Sequence, residues 1–204
     1  MMMQNRLRGY LPVVVDLETG GFDETTDALL ELAAVMVESS VDEQGRCYLR
    51  CGTILNYKIE PFSHARLDKN ALKVTGIDPF HPSRQAIPEK EALLCLFDET
   101  RKALHKDNCT RAILVAHNAA FDLKFLNAAV ARNRLEEDNP FHHFSNIDTV
   151  SLGALQYGQT VLSKIVPLAG LSWNNNLAHS AAYDAQMCAE VFCKVFNLWP
   201  QPLR

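Results

Sequence analysis

Asp16 and Glu18 stand two residues apart at the end of "PVVVDLET", the most hydrophobic strand-like run of the chain. On a β-strand, residues two apart point to the same face, so these carboxylates are held together while Leu17 points away. Two neighbouring anions close to apolar side chains require a compensating cation. Hard carboxylate oxygens in that arrangement suit Mg²⁺ or Mn²⁺. A D-x-E tripeptide also ends ordinary strands in water, so the pair alone decides nothing. Three further groups bear on it. Asp122 follows the short apolar run "RAILVAHN", and Asp184 lies at the start of the last helical segment. Each would equally serve as a helix-start acid that favours the macrodipole. His179 comes five residues before Asp184 in "LAHSAAYD". With an ordinary pKa of about 6.5, a histidine beside such acids takes a proton from water near neutral pH.

The elements that must position these groups are legible from pattern. "LPVVVDLET", "LLELAAVMVE" and "TILNYKI" are β-branched and apolar runs separated by turn residues, which predicts a three-strand meander. "HARLDKNALKVTG" predicts a short helix stopped at Gly76, and "PEKEALLCLFDETRKALHK" a longer one opening on Pro88 and acids. "RAILVAHN" then predicts a strand, and "AAFDLKFLNAAVARNRLEE" a helix in which Leu123, Leu126, Ala129 and Val130 recur at helical spacing. "FHHFSNIDTV" predicts a further strand, residues 151–170 are helical, and "SAAYDAQMCAEVFCKVFNL" closes the chain as a helix holding Cys188 and Cys193. Hairpin strands followed by strands alternating with helices give an α/β fold, a ribonuclease-H-like mixed five-stranded sheet flanked by helices.

The 204 residues fit one domain with residues 1–10 as a basic N-terminal segment. A hydrophobic content of 48% with 22% charged residues excludes disordered and fibrous classes. The formal net charge of −4 is wrong for a protein that lives on non-specific duplex binding. Any nucleic-acid partner must therefore be gripped locally, by a basic patch, by metal or by stacking. "MMMQNRLRGYLP" has no apolar core of a signal peptide, no run approaches a membrane span, and six scattered cysteines without a C-x-x-C pair suit reduced thiols. The expected location is the cytoplasm.

"DLET", "AHNAAFD" and "HSAAYD", in that order, resemble the three motifs of the DEDDh (DnaQ-like) family of 3′ to 5′ exonucleases. Within it, "GGFDETTDALLELAAV", "GIDPFHPSRQAI" and "NPFHHFSNIDTVSLGALQYGQTVLSK" are similar to the ribonuclease T subfamily, and the similarity covers nearly the whole chain. The resemblance implies that Asp16, Glu18, Asp122 and Asp184 hold two Mg²⁺ per subunit, with Mn²⁺ an alternative, and that His179 is the general base or itself a metal ligand. It implies stacking of Phe22, Phe121 and Phe144 on the last unpaired bases, although core packing is the ordinary fate of a phenylalanine. It also implies a homodimer in which Arg6, Arg8 and Arg111 present substrate to the partner's site.

The implied activity is trimming of short single-stranded 3′ ends of structured RNA, in transfer RNA end turnover and stable RNA maturation, and of single-stranded DNA ends. Asn70 and Val74 stand where the family offers an acid and a further phenylalanine, so discrimination among terminal bases is expected to differ. Glu136, Glu137 and Asp138 stand where the family tends to be basic, which predicts a weaker patch. A proofreading-type DNA exonuclease and a non-catalytic single-strand binding module are the competing readings. Hydrolysis of free nucleotides shares the metal chemistry but has no need of an aromatic grip.

Overall fold

The computed structural model describes residues 3–43 and 45–199. A five-stranded sheet has the order β3-β2-β1-β4-β5. β1 (Tyr10–Thr19), β2 (Leu29–Val41) and β3 (Cys47–Lys58) form the antiparallel meander, and β4 (Arg111–Ala116) and β5 (Phe141–Asp148) run parallel to β1. Among the described residues six α-helices flank the sheet: α1 (Lys69–Thr75), α2 (Glu89–Lys106), α3 (Ala119–Asn133), α4 (Thr149–Tyr157), α5 (Leu162–Leu168) and α6 (Ala181–Leu198).

The alternation along β1 assigns its two faces. Val13, Val15 and Leu17 pack into the cluster formed with α2 and α3, among Leu93, Leu96, Leu123 and Leu126. Val14 packs on the opposite face with Ala185, Cys188 and Val191 of α6. Because side chains alternate, Asp16 and Glu18 share the face of Val14. The helix covering that face is the one that carries Asp184.

Two predicted boundaries shift. The helix expected over 64–76 is only α1, Lys69–Thr75, because Asp68 accepts hydrogen bonds from the N–H groups of Asn70 and Ala71 and so starts it there. Gly76 stops it in the left-handed conformation at φ 68°. The strand expected through Val150 ends at Asp148, whose carboxylate accepts from Val150 N and caps α4. β3 begins earlier than the pattern suggested, at Cys47, since Cys47 and Leu49 are buried in the cluster that contains α6.

Candidate active site

The parallel arrangement of β1 and β4 brings the C-terminal end of β1 beside the start of α3. There Asp122 is buried, and one of its carboxylate oxygens accepts from the backbone N–H of Leu17 at 3.1 Å. The acid of the second motif is thereby tied to the residue between the two acids of the first. α6 closes the site from the other side. His179, in the preceding loop, donates its backbone N–H to Asp184 at 3.0 Å while adopting a left-handed φ of 63°. One ligand atom each from Glu18, His179 and Asp184 lies within 4.8 Å of the others. Asp16 and Asp122 stand behind this trio, and all five groups line one cleft of about 420 Å³.

The electrostatics are those of an anionic cluster short of a cation. Burial, then the charges of Asp122, Glu18, Asp184 and Glu31, push the Asp16 carboxyl well above the usual range. Glu18 is pushed up to about 8 by burial and by Asp184, Glu31 and Asp122. Asp122 is likewise pushed up to about 8, chiefly by burial and despite the Leu17 N–H. Asp184 is raised by burial, with His179 opposing the shift. One Asp184 oxygen, Oδ1, is buried without a hydrogen-bond partner. An orphaned acceptor among four crowded carboxylates fits a divalent cation better than any neutral ligand.

A pH dependence follows with a definite sign. A carboxyl whose folded pKa is raised lends stability that is fully present below its unfolded value and is lost as pH rises through the folded value. For Glu18 and Asp122 that window runs from about 4 to about 8. The thermal midpoint of the protein in EDTA should fall between about pH 5 and about pH 9, and millimolar Mg²⁺ should restore it most at the alkaline end. Calorimetric scans across pH, with and without Mg²⁺, measure this. A midpoint that rises with pH in EDTA would contradict the crowding of acids.

Beside the acids, a second cleft of about 250 Å³ is lined by Leu17, Glu18, Gly21, Phe22, Val74 and Phe121, among others. Phe22 is 79% exposed, and its ring meets Phe121 edge-on at 6.1 Å. The ring adds an exposed apolar face to this cleft, beside the acids. The turn that presents it requires Gly21, since a Cβ there would collide with the buried carboxylate of Asp27. Phe144 is also exposed, but its ring neighbours are His142 and His143 on β5.

The arginines lie at the other end of the sheet. Tyr10 pairs with Arg111 at the start of β1 and β4, six residues and roughly 20 Å along the strand from Asp16. Arg8 lies over the Tyr10 ring at 5.1 Å, and Arg6 over Phe196 at 4.6 Å with Nη1 buried. Glu136 and Glu137 follow α3 in the turn at 136–138.

Three supporting residues escaped the sequence reading. Lys124 donates to the carbonyl oxygen of Phe22 at 2.9 Å and pairs with Glu24 at 3.1 Å, fastening the Phe22 turn to α3. Asp148 accepts from Asn118 N and Ala119 N and so fixes the start of the helix that carries Asp122. His117 bonds through Nδ1 to Thr149 and through Nε2 to the carbonyl oxygen of Thr160, each at 3.0 Å, so both ring nitrogens are engaged. Burial lowers the His117 pKa, which keeps it a neutral strut between β4 and α4. The turn-favouring Asp-Thr step after a strand could have pointed to Asp148. Nothing in the spacing points to Lys124.

Residues 13–192 match the RNase_T family model, described as an exonuclease. The chain is 50% identical over 197 residues to ribonuclease T of Marinobacter nauticus, covering 97% of this chain and 87% of that protein. It is 50% identical over 200 residues to ribonuclease T of Photorhabdus laumondii, covering 98% and 90%. Among solved structures, the fold is similar to the nuclease domain of 3′hExo, a DEDDh family member bound to rAMP (TM-score 0.67, 18% identity, 91% of this chain and 90% of that one). It is also similar to E. coli exonuclease I in complex with a dT13 oligonucleotide (TM-score 0.65, 16% identity, 93% and 41%).

Proposed function

The chain belongs to the RNase_T exonuclease family, and on that premise we propose that it removes nucleotides from short single-stranded 3′ ends of structured RNA, transfer RNA included, and from single-stranded DNA ends. The observation that carries this reading is the junction of two clefts through shared walls. Leu17, Glu18, Phe22 and Phe121 line both the acid cleft and the apolar one. A terminal base seated on Phe22 and Phe121 places its phosphate at the acids.

The family is divalent-metal dependent. Here Asp16, Glu18, Asp122 and Asp184 would hold two Mg²⁺, which would supply Lewis-acid stabilisation of the phosphoryl charge and of the leaving 3′ oxygen; Mn²⁺ would suit the same oxygens. His179, within reach of Glu18 and Asp184, accepts the proton that the attacking water loses. Phe22 and Phe121 hold the last bases by stacking, and Lys124 fixes the turn that presents Phe22. Phe144, exposed on β5, shares this stacking role. Val74, in the wall of the apolar cleft, offers a methyl surface in place of a ring.

Arg8 and Arg111 are too far along the sheet to serve the acids of their own protomer, which supports a homodimer in which they face the partner's site. Arg6 gives part of its guanidinium to Phe196, so the patch is weak and binding should depend only shallowly on salt. A cytoplasmic setting belongs to the same reading, supported by six scattered cysteines without a C-x-x-C pair. No helix among the described residues is long and apolar enough to cross a membrane.

Phe22→Ala should weaken binding of a short single-stranded oligonucleotide about tenfold, within the roughly 1–3 kcal/mol that one stacked base is worth. Fluorescence anisotropy in Ca²⁺ or EDTA measures it without turnover. Polarity is tested with one oligonucleotide labelled at either end. Under the proposal a 3′ label is released at once as a mononucleotide, while a 5′ label passes through a ladder of shortening products. Immediate release of a 5′ mononucleotide, or internal cuts, would overturn it.

A further inference from the structure

The site fixes the direction of α6, and that direction brings two thiols together. α6 carries Asp184 in its first turn, at the C-terminal end of β1, and Phe196 in its last, under the Arg6 guanidinium that precedes β1. It therefore runs antiparallel to β1, and also to β3, because both strands flank β2 in antiparallel pairing. Asn197 sets the register. Its side chain accepts from Leu49 N and donates to Leu49 O, both at 2.8 Å.

From that anchor, two residues onward along β3 is Cys51, about 7 Å away on the same face as Leu49. One turn back along α6 is Cys193, about 6 Å away on the same stripe as Asn197. Cys193 is 4% exposed in the core, and half-buried Cys51 packs against that cluster. Their side chains share a hydrogen bond, which together with burial holds the Cys193 thiol firmly protonated.

We propose that Cys51 and Cys193 form a reversible disulfide when the protein meets a hydroperoxide, stapling the edge strand to the helix that bears Asp184. The Cys51 sulfur, the accessible one, attacks a peroxide oxygen and the O–O bond breaks. Cys51 becomes a sulfenic acid, and its thiol proton leaves with the other oxygen as water or alcohol. The Cys193 sulfur then attacks the Cys51 sulfur, and the departing hydroxyl takes the Cys193 proton as water. Two thiols lose two electrons and the peroxide gains them. A dithiol reverses the bond by exchange. Because the Cys51 hydrogen bond and burial raise the Cys193 thiol, the second step falls toward the slow end of the roughly seconds-to-hours range of disulfide formation.

The test treats the whole protein with hydrogen peroxide, alkylates the remaining thiols and maps the peptides by mass spectrometry. The expected result is one cross-linked peptide joining Cys51 to Cys193, lighter by two hydrogen atoms, abolished by dithiothreitol and absent from Cys51→Ser. The oxidised protein should also melt several degrees higher, since the bond closes a loop over most of the chain. Cys51→Ser, substituted at a half-buried position away from the acids, should keep both its fold and its basal turnover. Oxidation of Cys51 to sulfinic acid without the cross-link, or a cross-link between other cysteines, would overturn the proposal. None of these outcomes depends on the nuclease reading.

Discussion

Asp16→Asn should yield a folded protein that melts higher than the wild type in EDTA and is nearly inactive in Mg²⁺. Asp16 is the most crowded of the acids, facing Asp122, Glu18, Asp184 and Glu31. Replacing its carboxyl by an amide removes one negative charge from the cluster while keeping the shape of the side chain. In the wild type each neighbouring acid that ionises adds to the repulsion on Asp16, and the amide removes that cost, while burial still holds Glu18 and Asp122 at about 8. The gain in stability should be on the order of 1–3 kcal/mol, a rise of several degrees in melting temperature. It should be largest at about pH 8 to 9 and vanish near about pH 5, where the wild-type acids are protonated as well. Turnover should drop by roughly 10³-fold or more, because the same carboxylate is a proposed metal ligand. A variant that loses activity through misfolding would melt lower, so the two measurements together separate a functional acid from a structural one.

The second large effect concerns His179. Its backbone N–H is bonded to Asp184 and its φ is left-handed, a conformation that asparagine tolerates better than alanine. His179→Asn therefore keeps the loop geometry and the bond to Asp184 but removes the proton acceptor. His179→Ala removes the acceptor and adds backbone strain. Both should lower turnover by about 10²- to 10⁴-fold while leaving oligonucleotide affinity within about twofold of wild type. Near-wild-type turnover in the asparagine variant would refute the assignment of His179 as base, and a parallel loss of affinity would mark it as a binding residue instead.

Much of this arrangement was legible before any coordinates. Period-2 alternation in "PVVVDLET" fixes Asp16 and Glu18 on one face, while the structure supplies the helix that covers this face and carries Asp184. The five strands follow from β-branched runs and turn residues. What pattern could not supply is long-range. Local helical periodicity over 64–76 loses to the Asp68 cap, which fixes where the helix starts. Lys124 reads as a solvated helix residue until the turn at Phe22 folds back to α3. His117 lies within a motif that resembles a catalytic one, yet its two hydrogen bonds make it a strut. The meeting of Cys51 and Cys193 depends on the direction of α6, which only the assembled sheet reveals.

Gly21 illustrates how the two levels join. In sequence it is one of two glycines before Phe22. In the fold it is the position where a side chain would strike buried Asp27, so the turn is compact and the ring beyond it stays exposed. The first two acids and the exposed ring are thus set by one strand and the turn that follows it, with α3 and α6 contributing the remaining acids.

The most direct test uses a hairpin RNA with a short single-stranded 3′ tail, labelled at its 5′ end and resolved on a denaturing gel and a native gel. With Mg²⁺, the tail should shorten one nucleotide at a time and stop near the duplex, and EDTA or Asp16→Asn should leave it intact. Unshortened RNA with retarded mobility in the presence of Mg²⁺ would contradict the account and mark the chain as a binding module.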